Sequence, residues 1–135
     1  MHHLAPLIHR ALPWLSFPSC VVIDALLLNG GAVGTSRWVA THLGLPNRFS
    51  LARLLRDDGL PPLHRLSGWI AVLRWVSEWE RANVSLSRSA LRTGREPTEC
   101  SRLVKRITGA PWVDVRAAGV NWALARFVEE CGGRM

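Results

Sequence analysis

Apolar residues recur along this chain at helical spacing. The clearest run is residues 62–81, PLHRLSGWIAVLRWVSEWER, which predicts one continuous helix. Leu63, Leu66, Ile70 and Leu73 follow one face of that helix, while Trp69, Val72, Val76 and Trp79 follow a second face beside it. A surface helix needs one apolar stripe. Two stripes predict a helix packed between two bodies.

Upstream, residues 19–29 carry Val22, Leu26 and neighbouring aliphatics at helical spacing, with Ser19 as N-cap and Gly30-Gly31 as stop. Thr35 or Ser36 then caps a short helix, RWVATHL, that ends at Gly44. Leu45, Pro46 and Asn47 make a turn, and a further helix runs to about Asp57, stopped by Gly59 with Pro61 and Pro62 beyond. That helix buries Leu51, Leu54 and Leu55 and exposes Arg48, Ser50, Ala52, Arg53 and Arg56. A short helix, a tight turn and a second helix make the helix-turn-helix pattern. Residues 1–18, with Pro6, Pro13 and Pro18, read as an irregular arm. Its histidines, His2, His3 and His9, lack the i,i+4 pairing of a helical metal site.

The pattern repeats after residue 81. An ungapped shift of fifty residues puts Ala40 on Ala90, Gly44 on Gly94, Arg56 on Arg106, Gly59 on Gly109 and Pro61 on Pro111, with Leu54 on Val104. These are positions where two helices touch or where a helix ends, so the identities argue for a duplicated unit. The second copy starts at Ser85, reaches Gly94 through a short helix, turns through Pro97 and continues to Gly109. Its second helix buries Cys100, Leu103, Val104 and Ile107 and leaves Thr98, Glu99, Ser101, Arg102, Lys105 and Arg106 outside. A last helix, about residues 113–131, packs Trp122, Leu124, Ala125 and Val128 on the second unit. The expected fold is therefore all-α, a homeodomain-like tandem. It has an arm (1–18), a first helix-turn-helix unit (19–61), a linker helix (62–81) and a second unit with its C-terminal helix (82–135).

Composition adds a partner class. The 135 residues hold 48% hydrophobic content, enough for a core, and 17 basic against 10 acidic residues, all but one of the basic ones arginine. Residues 1–80 carry +2 and residues 81–135 carry +5. Such a surplus suits a polyanion, and arginine suits bidentate contacts to phosphate and guanine. Cys20, Cys100 and Cys131 are three in number and widely spaced, which implies neither a disulfide framework nor a zinc motif. No stretch has the length and apolarity of a membrane span, and the N-terminus lacks the succession of a signal peptide. Asp57-Asp58, His42, His64 and Glu129-Glu130 are acids and bases without a nucleophile, phosphate loop or metal set, so an enzyme is not expected. Asp57-Asp58 reads as a solvated helix end. No cofactor is implied.

In the second unit, SLSRSALRTG followed by CSRLVKRITGAPWVDVR resembles the signature of the AraC/XylS family of transcription regulators. Ala90, Gly94, Ser101, Arg102, Lys105, Gly109 and Arg116 stand at matching places. In the first unit Ala40, Gly44, Leu45, Leu51, Arg53, Gly59 and Pro62 do the same, so the resemblance covers about residues 19–126. The chain departs from the family run at Arg95, Glu99, Cys100, Val104 and Trp112, with Pro111 one place early and a second turn one residue shorter. Glu99 repels phosphate unless it accepts from a cytosine amine.

The resemblance implies sequence-specific binding of double-stranded DNA by two major-groove recognition helices in a cytoplasmic, nucleoid-associated regulator. RNA polymerase is an implied further partner. Arg48, Ser50, Arg53 and Arg56 of the first unit and Thr98, Arg102, Lys105 and Arg106 of the second are the expected DNA-binding residues, of which some only neutralise phosphate. Family members usually carry a ligand-sensing domain. The eighteen-residue arm is too small to be one, so a small-molecule effector is not expected on this chain. A second reading is a degenerate helix-turn-helix domain that serves as a protein-interaction module, with several of the seven tryptophans on the long helix forming an apolar patch. On the first reading, twenty residues at 1.5 Å give the linker helix about 30 Å, the scale of successive major grooves.

Overall fold

A computed structural model describes residues 4–28, 39–41 and 43–132, and within them the chain is all-α. Its helices are α1 (Leu4–Ala11), α2 (Phe17–Leu28), α3 (Arg48–Asp57), α4 (Leu63–Ala82), α5 (Leu86–Arg92), α6 (Pro97–Thr108), α7 (Trp112–Ala118) and α8 (Val120–Glu130). Residues 39–41 are also helical and precede the turn into α3. The expected caps Thr35 and Ser36 and the stop at Gly30-Gly31 lie outside the described residues.

The two-striped helix forms as α4, between Pro62 and a left-handed Asn83 (φ 54°). Both stripes are enclosed. Leu63, Leu66, Trp69, Ile70, Val72, Leu73 and Val76 are buried, and Trp79 is half-buried. α2 packs on α4 from the N-terminal half of the chain, and α5, α6, α7 and α8 pack on it from the C-terminal half. The two sides do not remain separate. One apolar cluster runs from Leu4 through α4 to Cys131, and α1 touches α8 directly. α4 is therefore the centre of a shared core rather than a rod between two bodies.

Three expected element boundaries change as well. Residues 1–18 are not an irregular arm: α1 buries Leu4 and Ile8, and Leu12 continues that face. Pro6 is tolerated because it falls in the first helical turn, where its missing N–H has no intrahelical partner in any case. Ser19 does not cap α2, which begins at Phe17; Ser19 is buried inside it. The last helix is broken at Gly119 (φ 96°, ψ 173°) into α7 and α8. The bend is held from α4, where the Glu80 carboxylate accepts the Val120 N–H at 3.1 Å.

The segment between α1 and α2 is tied to the end of α3. The Asp58 carboxylate accepts from the Ser16 N–H at 2.8 Å and from the Ser16 hydroxyl at 2.6 Å, and the Trp14 indole donates to the Asp58 carbonyl at 3.3 Å. Asp58 is thus an anchoring group, not a solvated helix end. Partial burial alone would raise its carboxyl, but the Ser16 and Ser19 hydroxyls and the Ser16 N–H outweigh that and hold it below the ordinary carboxylate range.

Candidate nucleic-acid interface

The two turns have the same backbone. Leu43 and Thr93 donate to the carbonyls of Ala40 and Ala90, Gly44 and Gly94 donate to Thr41 and Leu91, and Leu45 and Arg95 donate to Ala40 and Ala90, each of the last pair at 2.8 Å. Both glycines are left-handed, at φ 73° and 71°. Ala40 and Ala90 are fully buried at the point where each short segment meets the next helix. For the described turn residues, through Leu45 and Arg95, the fifty-residue correspondence holds in these backbone hydrogen bonds.

Beyond Leu45 and Arg95 it shifts by one. α3 begins at Arg48, four residues after Gly44, whereas α6 begins at Pro97, three residues after Gly94. Asn47 caps α3 by accepting the Ser50 N–H at 3.0 Å; α6 starts instead on Glu96 and Pro97, with no side-chain cap. Burial along the two helices therefore matches at a separation of 49. Leu51 and Leu55 are buried as Cys100 and Val104 are, Leu54 and Leu103 are half-buried, and Arg53 and Arg56 are exposed as Arg102 and Lys105 are. The structural counterpart of Arg53 is thus Arg102, and that of Arg56 is Lys105. Arg106, paired with Arg56 in the sequence, corresponds to Asp57. α6 regains the register at Gly109 by being two residues longer than α3, twelve against ten.

Of the eight expected site residues, Arg48, Arg53, Arg56, Thr98, Arg102, Lys105 and Arg106 are exposed. Ser50 is half-buried and turned to Asn47, to which its hydroxyl also donates at 3.3 Å. It serves the cap. Arg48 lies over the ring of Phe49 at 5.1 Å, a contact that orients its guanidinium along the start of α3. Two surface clefts flank the first turn of α4 and share His64. One, of about 460 Å³, includes Arg48, Ala52 and Arg56; the other, of about 300 Å³, includes Arg95, Glu99 and Arg106. His64 thus stands between α3 and α6.

α6 is positioned by α4 along its length. At its start, the Arg95 guanidinium lies over the ring of the buried Trp75 at 5.6 Å. Near the C-terminal end of α6, Gly68 brings the helices so close that a Cβ there would sit 2.7 Å from Ile107 Cδ1. At the far end Arg65 clasps the Glu130 carboxylate with Nε and Nη2, and the same Nη2 donates to the Ile107 carbonyl at 3.0 Å. α6 thus runs back along α4, from Trp75 to Arg65. The length of α4 is therefore not the spacing between α3 and α6.

Sequence reasoning passed over Arg65 and Gly68, and weighed His64 only as an acid or base. Only Gly68 carried a signal, a lone glycine inside an otherwise strong helix. Arg116 lies 4.3 Å over Trp79 and pins α7 to α4. With Trp69 and Trp75 buried and Trp79 under Arg116, the long helix presents no tryptophan patch. Cys100 and Cys131 are buried, and burial pushes the Cys131 thiol up to about 12. Among the described residues no group of three or more His, Cys, Asp or Glu is placed to hold a metal ion, and no helix is long and apolar enough to cross a membrane.

No protein-family model matches the sequence, and no curated protein and no solved structure matches it.

Proposed function

We propose that this chain binds double-stranded DNA sequence-specifically through two helix-turn-helix units, in the manner of AraC/XylS-type transcription regulators, with α3 and α6 as recognition helices. The observation that carries this reading is the pairing of two basic helix faces behind two turns that share their backbone hydrogen bonds: Arg53 with Arg102, and Arg56 with Lys105. An α-helix fits the major groove, where arginine can take guanine O6 and N7 together while its neighbours hold phosphates. Arg48, Thr98 and Arg106 extend the two faces. Glu99 on α6 limits that helix to positions where a cytosine amine or solvent, not phosphate, meets it.

Selection of bound sequences from a randomised DNA pool tests the proposal. A motif in two separated parts is expected, one part lost on Arg53→Ala and the other on Arg102→Ala. With about six phosphate contacts, the log–log dependence of affinity on salt has a slope near −5. A pool that returns no motif, or only weakly retained random sequence, sinks sequence-specific recognition.

A further inference from the structure

We infer that Phe49 reads a thymine methyl group in the DNA half-site taken by α3. The inference rests on the DNA-binding reading and deepens it by naming a base. Phe49 is 66% exposed and belongs to no part of the apolar cluster. Among the described residues it is the one large hydrophobic side chain that α3 and α6 leave in solvent. The Asn47 cap places it in the first turn of α3, and it is with its N-terminal residues that a helix of this kind meets base edges. From there Phe49, Ala52, Arg53 and Arg56 follow at i, i+3, i+4 and i+7, and all four are exposed. The outward face of α3 is thus apolar at its N-terminal end and cationic beyond.

The charge around the ring selects the occupant. The Arg48 guanidinium lies over Phe49 at 5.1 Å, Arg53 and Arg56 share its face, and α3 has no acid before Asp57. Among the described residues none of these three arginines meets a carboxylate. A polyanion suits that setting, and an apolar side chain within it calls for an apolar group on the polyanion. DNA presents one in the major groove, the thymine C5 methyl, which an aromatic ring or an alanine contacts. Ala52, one turn on, lets the base edge come close, and Arg53 beside it is placed to take an adjoining guanine. On α6 the positions matched by burial are Thr98 and Ser101, whose hydroxyls offer hydrogen bonds instead. The two helices therefore ask for different bases.

The site that the full chain selects from a randomised pool is remade with deoxyuridine for thymine in the α3 half, which removes the methyl and keeps the base pair. Fluorescence anisotropy should show about fourfold weaker binding, the worth of one buried methyl group. Replacing that thymine by cytosine should weaken binding further, and 5-methylcytosine should recover about the same fourfold. Phe49→Ala should bind the thymine and uracil sites equally, with an unchanged circular dichroism spectrum because the ring packs on no core residue. Phe49→Leu, which keeps an apolar contact, should retain part of the preference. Equal affinity of the unaltered chain for the thymine and uracil sites overturns the inference, as does a two-part motif without thymine in the α3 half; both leave the DNA-binding reading in place. A thymine preference that survives Phe49→Ala assigns the methyl to another side chain and overturns it as well. A pool that returns no motif removes the inference together with the reading beneath it.

Discussion

The Arg65 guanidinium holds both carboxylate oxygens of Glu130, sixty-five residues away, and in the same geometry reaches the last carbonyls of α6. One side chain of α4 thereby sets the end of α6 against α8. The carboxyl of Glu130 lies below its ordinary range, first because it accepts from Arg65, with the charge of Arg126 adding to the effect against the opposing influence of burial. Arg65→Ala leaves the carboxylate and two carbonyls without their donor. Both partners are about a third exposed, so solvent limits the loss to about 1–2 kcal/mol. Urea unfolding of the two chains measures it, and an unchanged midpoint would remove the clamp from the account.

Acid should weaken the fold through two known groups. Asp58 and Glu130 both have folded-state carboxyls below the ordinary value. A depressed carboxyl contributes stability that is complete above about pH 5 and is lost as pH falls through about 4 and below. The Asp58→Asn/Glu130→Gln chain should be less stable at neutral pH and should show a flatter decline between about pH 5 and 3. Parallel declines in the two chains would assign the acid sensitivity elsewhere.

Gly68→Ala sets helix propensity against packing. Alanine favours the helix by up to ~1 kcal/mol, but its Cβ meets Ile107 Cδ1 at 2.7 Å and Cγ1 at 3.1 Å. Ile107 is buried, so its side chain has little room to swing aside, and overpacking costs roughly 1–3 kcal/mol. A net loss of about 1 kcal/mol is expected. Adding Ile107→Val removes the offending methyl and should restore most of the loss. A double-mutant cycle with no coupling contradicts the close approach.

A charge at Ile70 tests the shared core. Ile70 is fully buried in the apolar cluster that spans both halves of the chain. Ile70→Glu should remove several kcal/mol and lower a single cooperative melting transition. Two resolved transitions, one for each half, would restore the picture of a linker helix between independent bodies.

Arg53→Ala and Arg102→Ala should each cost about 1–3 kcal/mol on a selected DNA site if both helices read bases. Their equivalent placement predicts similar losses. Fluorescence anisotropy decides between this and a one-helix mode, in which one of the two changes leaves the affinity untouched.

What the sequence made visible follows a physical division. α4 was legible because both of its faces are apolar over twenty residues, a pattern with no other helical explanation. The turns were legible because left-handed backbone restricts residue choice, so Gly44, Gly59, Gly94 and Gly109 mark them. α1 was obscured by its prolines, although Leu4, Ile8 and Leu12 already share one helical face. The break at Gly119 was hidden by apolar periodicity that continues across it; the determinant is Glu80, some forty residues earlier in the chain. The clamp at Arg65 could not be read, because arginine partners at such separations follow from tertiary packing alone. For the site, residue type and exposure were legible, while the pairing of the two helices was displaced by one.

That displacement has a consequence for how the two halves can diverge. From the turn glycine to the exit glycine each half has the same contour, Gly44 to Gly59 and Gly94 to Gly109. Inside it, two positions have been traded from loop to helix, one before the helix and one after it. The trade leaves entry and exit undisturbed while rotating the outward face by about 100° relative to the residue count. A chain built this way can retune what each helix presents by moving the boundary of a turn, without lengthening itself and without touching the core.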